Sequence, residues 1–136
     1  MTKQCTISCD PAVLPEIRKF VGEVLSSNNL AEVESHKMIL AVDEICANLI
    51  IHANNCDPTH QLNITVEVRP NDQVIFTIKD QGRTFDFTNY KEPSIEEIVS
   101  SRRKGGLGLM LVRRIMDDIQ FATEKNYNIC TLIKKL

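Results

Sequence analysis

The chain has 136 residues, a net charge of −2, and 43% hydrophobic against 25% charged residues. That length fits one domain spanning 1–136, large enough to bury a core without disulfide or metal staples, and the near-balanced charge argues against a general nucleic-acid or membrane-surface binder. No apolar run reaches the roughly 18 residues of a membrane-crossing helix, and Met1–Asp10 lacks the apolar stretch of a signal peptide, so a cytoplasmic protein is expected.

Residues 2–9 read as a short strand with Cys5 and Ile7 on one face. Pro15 suits the start of a helix that runs to about Ser27, with Ile17, Phe20, Val21 and Val24 inward. Asn28-Asn29 breaks it, and a longer helix from about Leu30 to Ala53 follows. Its stripe carries Val33, Lys37, Leu40, Glu44, Ala47, Asn48 and Ile51, and Asn54-Asn55 with Asp57-Pro58 ends it. Leu62, Ile64, Val66 and Val68 then alternate with polar residues, as do Val74, Phe76 and Ile78 after a Pro70-Asn71-Asp72 turn, which predicts two antiparallel strands with one face covered. Residues 81–104 are mostly irregular, with one short helix expected near Ile95–Val99, and an irregular segment of that length usually carries function. Gly105-Gly106-Leu107-Gly108 opens a third helix buried through Leu111, Val112, Ile115, Met116 and Ile119. Strands at about Gln120–Glu124 and Tyr127–Lys134 flank a Lys125-Asn126 turn. The order β-α-α-β-β-loop-α-β-β predicts an α/β two-layer sandwich, a mixed, mostly antiparallel sheet with its helices on one face.

The five cysteines include no CxxC pair, and Cys46 sits among apolar residues, which reads as a reduced protein with Cys46 in the core. Cysteines and histidines at zinc-ligand spacing are absent.

Three polar motifs interrupt this apolar pattern. Glu44 and Asn48 stand i,i+4 and share a helix face, with His52 a further turn on. Asp80-Gln81-Gly82 ends a strand, where a carboxylate can accept from an exocyclic amine and a glycine lets backbone approach a flat ligand. Lys104-Gly105-Gly106-Leu107-Gly108 opens a helix whose backbone N–H groups form an anion site, with Arg102 and Arg103 adding positive charge. Taken singly, each has an ordinary explanation: a solvated helix edge, a turn, a basic loop. The glycine run is not a Walker A loop, since no Gly-Lys-Ser/Thr follows, and it is not a dinucleotide fingerprint, since Leu111 stands where the third glycine belongs. The protein-kinase signatures with VAIK, HRD and DFG are absent.

Together and in this order, the motifs resemble the N, G1 and G2 boxes of the GHKL (histidine kinase/Hsp90/gyrase-type) ATPase superfamily, over nearly the whole chain. Ala41–His52, Asp80–Asp86 and Gly106–Asp117 look most like the boxes of its anti-sigma-factor serine/threonine protein kinase family. The resemblance implies a Bergerat-type ATP-binding fold and an ATP-dependent kinase that phosphorylates an anti-sigma-factor antagonist and sequesters a sigma factor or similar regulator. The alternative is a nucleotide-binding module that captures a partner without phosphotransfer. A histidine-kinase catalytic domain fits less well, because no phospho-acceptor segment accompanies the motifs.

By that resemblance ATP or ADP and Mg²⁺ are the cofactors. Glu44 would be the general base, and Asn48 would bind Mg²⁺. Asp80 and Gly82 would receive adenine, and Thr131 in the last strand would help to hold it. Lys104, Gly105, Gly106, Leu107 and Gly108 would receive the phosphates, with Arg102, Arg103 or Lys104 neutralising the γ-phosphate. His52 is expected to pack near the helix end. Thr84 and Cys130 depart from the family pattern, which often has proline and glycine there. A homodimer is implied, and no direct nucleic-acid or membrane partner.

Overall fold

The computed structural model describes residues 1–81, 104–125 and 127–136, with 104–108 described in their backbone. Its elements run β1 (Thr2–Ser8), α1 (Leu14–Ser27), α2 (Glu32–Asn48), β2 (Gln61–Arg69), β3 (Gln73–Asp80), α3 (Lys104–Ile115), β4 (Asp118–Glu124) and β5 (Tyr127–Lys135). The helix expected near Ile95–Val99 lies outside the described residues.

Helix α1 starts with proline in its first turn, after a short 3-10 turn at Pro11–Val13. The Asp10 side chain caps that turn by accepting from Ala12 N–H at 3.0 Å. The end of α1 is set by Asn29, whose φ of 59° is the left-handed conformation that asparagine tolerates. Leu30 N–H then reaches back to Leu25 O at 3.3 Å and Asn29 N–H to Ser26 O at 3.1 Å, the paired closure that satisfies the last carbonyls. The same device makes the β2–β3 turn, where Asn71 has φ 62°.

The sheet order is β1-β2-β3-β5-β4. The expected mostly antiparallel sheet holds, and among the described residues every strand pair is antiparallel. The period of two then sorts side chains to two faces. Leu62, Ile64, Val66, Val68, Val74, Phe76, Ile78, Cys130 and Leu132 are buried beneath the helices. Thr65, Thr77 and Thr131 lie in one cross-strand row on the opposite face. The helix layer has α2 at its centre, with α1 and α3 packed on either side. Ile17, Val21 and Leu25 of α1, Met38, Ala41, Val42 and Ile45 of α2, and Leu109 and Val112 of α3 complete one core with the sheet. An ion pair between Arg18 and Asp43 at 2.8 Å ties α1 to α2.

The core face of α2 is therefore not the stripe through Val33, Leu40 and Ile51. These three are 66%, 42% and 44% exposed and Lys37 between them is exposed too, whereas Glu44 is half-buried and Asn48, farther along the same stripe, is buried. The helix is apolar on more than one side, so periodicity identified the helix without fixing which stripe is buried.

All five cysteines are free thiols. Cys46 is buried as expected, together with Cys9 and Cys130. Burial, with a smaller effect of the Asp80 carboxylate, pushes Cys9 up to about 11 and Cys130 up to about 12, so both are protonated and unreactive near neutral pH.

Among the described residues Phe76 is the largest fully buried side chain, and it sits mid-sheet beneath the helices. Phe76→Ala is expected to lower unfolding free energy by about 3–5 kcal/mol, read from urea unfolding with an unchanged m-value. A loss below about 1 kcal/mol would contradict this placement of the core.

Candidate functional site

Asp80 is the last residue of β3 and continues the inward phase of Val74, Phe76 and Ile78. Strand alternation thus drives a carboxylate into the helix-covered face, where it is 1% exposed. A buried carboxylate requires hydrogen-bond donors. Asn54 Nδ2 donates to Asp80 Oδ2 at 2.8 Å, and Asn128 Nδ2 donates to the same oxygen at 3.4 Å. Asn128 is the residue directly opposite Asp80 in the β3–β5 register.

Asn54 reaches Asp80 because of how α2 ends. After Asn48 the helix widens into a π turn over Leu49–Ala53. The expected helix to Ala53 thus keeps its length but changes its winding in the last turn. Leu49 O accepts from Asn54 N–H at 3.0 Å and from Asn54 Nδ2 at 2.8 Å, so one asparagine closes the wide turn with both its groups. Such widened turns concentrate at functional sites. The changed phase buries Ala53 and Asn54 and leaves His52 exposed. His52, expected to pack near the helix end, stands exposed in the widened turn. Asn55 and Cys56 follow with φ of 50° and 57°, which returns the chain toward β2.

Behind Asn54, His60 Nδ1 lies 3.0 Å from Asn54 Oδ1, and His60 Nε2 lies 3.6 Å from Asp57 Oδ2. The Thr59 hydroxyl and N–H, with a smaller effect of His60, hold Asp57 below the usual carboxylate range.

Glu44 and Asn48 share a face of α2, as their spacing predicts. Glu44 is half-buried, and Asn48 is 8% exposed at the point where the helix widens. Burial raises the Glu44 carboxyl above its ordinary 4.5, and the neighbouring Asp43 charge adds to the rise. Asn48 offers a hard amide oxygen, and no group of three His, Cys, Asp or Glu side chains able to hold a metal occurs among the described residues. An amide oxygen is a ligand of the kind that hard divalent cations accept.

Helix α3 begins at Lys104, so Gly105, Gly106, Leu107 and Gly108 form its first turns. The helix packs against α2, so the helix that opens with the glycines and the helix bearing Glu44 and Asn48 lie side by side in one layer. Gly82, Arg102 and Arg103 lie outside the described residues, as does Thr84.

Thr131 is not part of this cluster. It pairs with Thr77, and both project to the face opposite Asp80. A one-residue offset along a strand moves a side chain through the sheet. On the Asp80 face β5 presents Asn128 beside Asp80 and, toward mid-sheet, Cys130 and Leu132. Sequence reasoning missed Asn54 and Asn128. Asn54 read only as a helix stop, and Asn128 acquires meaning only from a register between strands separated by α3 and β4.

The model of the family described as histidine kinase-like ATPase domain matches residues 7–134. Serine-protein kinase RsbW of Oceanobacillus iheyensis is 30% identical over 100 residues, covering 71% of this chain and 61% of that protein. Serine-protein kinase RsbW of Bacillus licheniformis is 27% identical over 114 residues, covering 81% of this chain and 71% of that one. The chain thus spans about three fifths of the first relative's length and somewhat more of the second's. Among solved structures, the RsbU and RsbW domains of a Mycobacterium tuberculosis protein superpose with a TM-score of 0.72 at 12% identity, over 100% of this chain and 32% of that one. A chain of the SiaB–SiaC complex from Pseudomonas aeruginosa superposes with a TM-score of 0.63 at 10% identity, over 98% and 89%. At these identities the structures speak for the fold.

The raised Glu44 carboxyl has a consequence for stability. The folded chain holds this proton more tightly than the unfolded chain does, so the associated stability is fully present below 4.5 and is lost as pH rises through the folded value. Glu44→Gln is expected to melt higher than wild type at neutral pH, with the difference shrinking toward zero as pH falls below 4.5. Scanning calorimetry across that range checks this, and a difference independent of pH would refute it.

Proposed function

This chain belongs to the family of histidine kinase-like ATPase domains, and from that premise we propose that residues 1–136 act as one ATP-dependent serine/threonine protein kinase unit. Its substrate is an anti-sigma-factor antagonist-like protein, and it sequesters a sigma factor or an equivalent regulator in the cytoplasm, working as a homodimer. The similarity to two serine-protein kinases supports the reaction class. The observation that carries the reading is the buried carboxylate of Asp80, hydrogen-bonded at 2.8 Å to a residue of the segment that follows Glu44 and Asn48.

Asp80 accepts the exocyclic amine of adenine, and Gly82 lets the base lie close to the backbone. The first turn of α3 receives the phosphates through the N–H groups of Gly105, Gly106, Leu107 and Gly108, where the helix dipole favours negative charge. Lys104, with Arg102 or Arg103, offsets charge on the γ-phosphate. Asn48 holds Mg²⁺ through its amide oxygen, and the ion supplies charge neutralisation at the phosphates.

Glu44 takes the proton from the incoming serine hydroxyl. The serine oxygen bonds to the γ-phosphorus as the bridging P–O bond to the β-phosphate breaks, and ADP leaves. A carboxyl raised by burial suits this role, because proton transfer is best served by a base whose pKa lies nearer the working pH. The bond to adenine and the bond to the serine proton therefore depend on two carboxylates in different settings, one fully buried between amides and one half-exposed on the helix.

Thermal melts give the test. Mg²⁺-ADP at about 100 times its dissociation constant should stabilise wild type by roughly 2.7 kcal/mol, and Asp80→Asn should abolish the shift. Glu44→Gln should keep the shift yet transfer no phosphate from labelled ATP to a serine-bearing antagonist. A well-folded wild type with no shift at millimolar nucleotide would overturn the ATP-site reading. A shift without transfer from wild type would leave a nucleotide-binding module that captures its partner without phosphotransfer.

A further inference from the structure

We infer that Asn54, backed by His60, is the positioning residue that lets the buried Asp80 carboxylate discriminate an aminopurine from an oxopurine. The inference rests on the proposed adenine-binding role of Asp80 and deepens it.

The geometry assigns every polar atom of the Asn54 side chain. Its Nδ2 donates to Asp80 Oδ2 and to Leu49 O, each at 2.8 Å. Both partners are acceptors, which fixes the amide's orientation. Oδ1 must then accept, so His60 Nδ1, 3.0 Å away, carries a proton whether the ring is neutral or charged. Asn54 is itself 2% exposed, and its backbone N–H is bound to Leu49 O at 3.0 Å. An asparagine bound at all its side-chain positions cannot rotate, and it transmits that rigidity to the carboxylate it holds.

The position of that carboxylate decides selectivity. An exocyclic amine donates to a carboxylate oxygen, whereas the oxo group of a hypoxanthine or guanine base is a second acceptor and leaves buried polar groups unsatisfied. Such a penalty lasts only while the carboxylate is unable to turn aside or recruit water. Asn54 on one side and Asn128 on the other, both on Oδ2, prevent the turn. The wide turn at Leu49–Ala53 is the element that brings Asn54 into this position, so the end of the helix bearing Glu44 and Asn48 also sets the base pocket.

Calorimetric titration of the chain with Mg²⁺-ADP and with Mg²⁺-inosine 5′-diphosphate tests this. Wild type is expected to prefer ADP about 100-fold or more. Asn54→Ala should compress that preference about tenfold, the loss of one hydrogen bond to a charged group, chiefly by weakening ADP. His60→Ala, which removes only the donor behind Asn54, should compress it by about threefold. Melts without nucleotide separate lost stability from lost selectivity. An unchanged ADP preference in Asn54→Ala, or equal weakening of both nucleotides, overturns the inference, provided that Asp80→Asn collapses the preference. If Asp80→Asn leaves the preference intact, or wild type binds neither nucleotide, the adenine reading fails first and the inference with it. Should Asn54→Ala not fold, Asn54→Ser replaces it. Its single hydroxyl donor should give an intermediate preference, and an unchanged one again overturns the inference.

Discussion

The site depends on a carboxylate placed in a core. Asp80 follows Ile78 in a strand whose alternate residues are fully buried, and alternation carries it inward with them. A charge removed from water is tolerable only with donors at hand. Two asparagines from distant parts of the chain converge on one of its oxygens. Asn54 comes from the end of the central helix and Asn128 from the strand next to β3. One buried group thereby couples helix layer and sheet at the end of β3.

This coupling explains the winding of α2. A regular helix continued to Ala53 would keep His52 in the line of Glu44 and Asn48. The wide turn instead brings Asn54 inward, where its side chain and backbone together satisfy Leu49 O. The turn is followed by two residues in left-handed backbone, Asn55 and Cys56, a conformation unusual for cysteine. That local cost is sustained because the surrounding bonds over-determine the segment. The two polar residues upstream keep their own settings. Glu44 remains half-exposed with its carboxyl raised, and Asn48 is nearly buried.

The two faces of the sheet differ just as sharply. On the helix side, Leu62, Ile64, Val66, Val68, Val74, Phe76 and Ile78 supply an apolar floor beside the buried Asp80. On the other side, Thr65, Thr77 and Thr131 form a polar row one residue out of phase with it. Thr131 illustrates how little separates the two. It adjoins Cys130, which is buried and faces the helices, yet it projects the opposite way.

The sequence by itself determined the elements and their chemistry. Alternation in β2 and β3, proline at the start of α1, and the turn asparagines at 29 and 71 are local signals, and each was realised because the physics that sets it acts within a few residues. The Glu44–Asn48 spacing, the strand-end position of Asp80 and the glycine-rich start of α3 were legible for the same reason. Only the tertiary structure decided which stripe of α2 is buried, that Thr131 faces away from Asp80, and that Asn54 and Asn128 meet at one oxygen. Those outcomes depend on strand register across an intervening helix and strand, and on one extra residue in a helical turn. Both are settled by packing and by the need to satisfy buried polar groups, constraints that no short window of sequence contains.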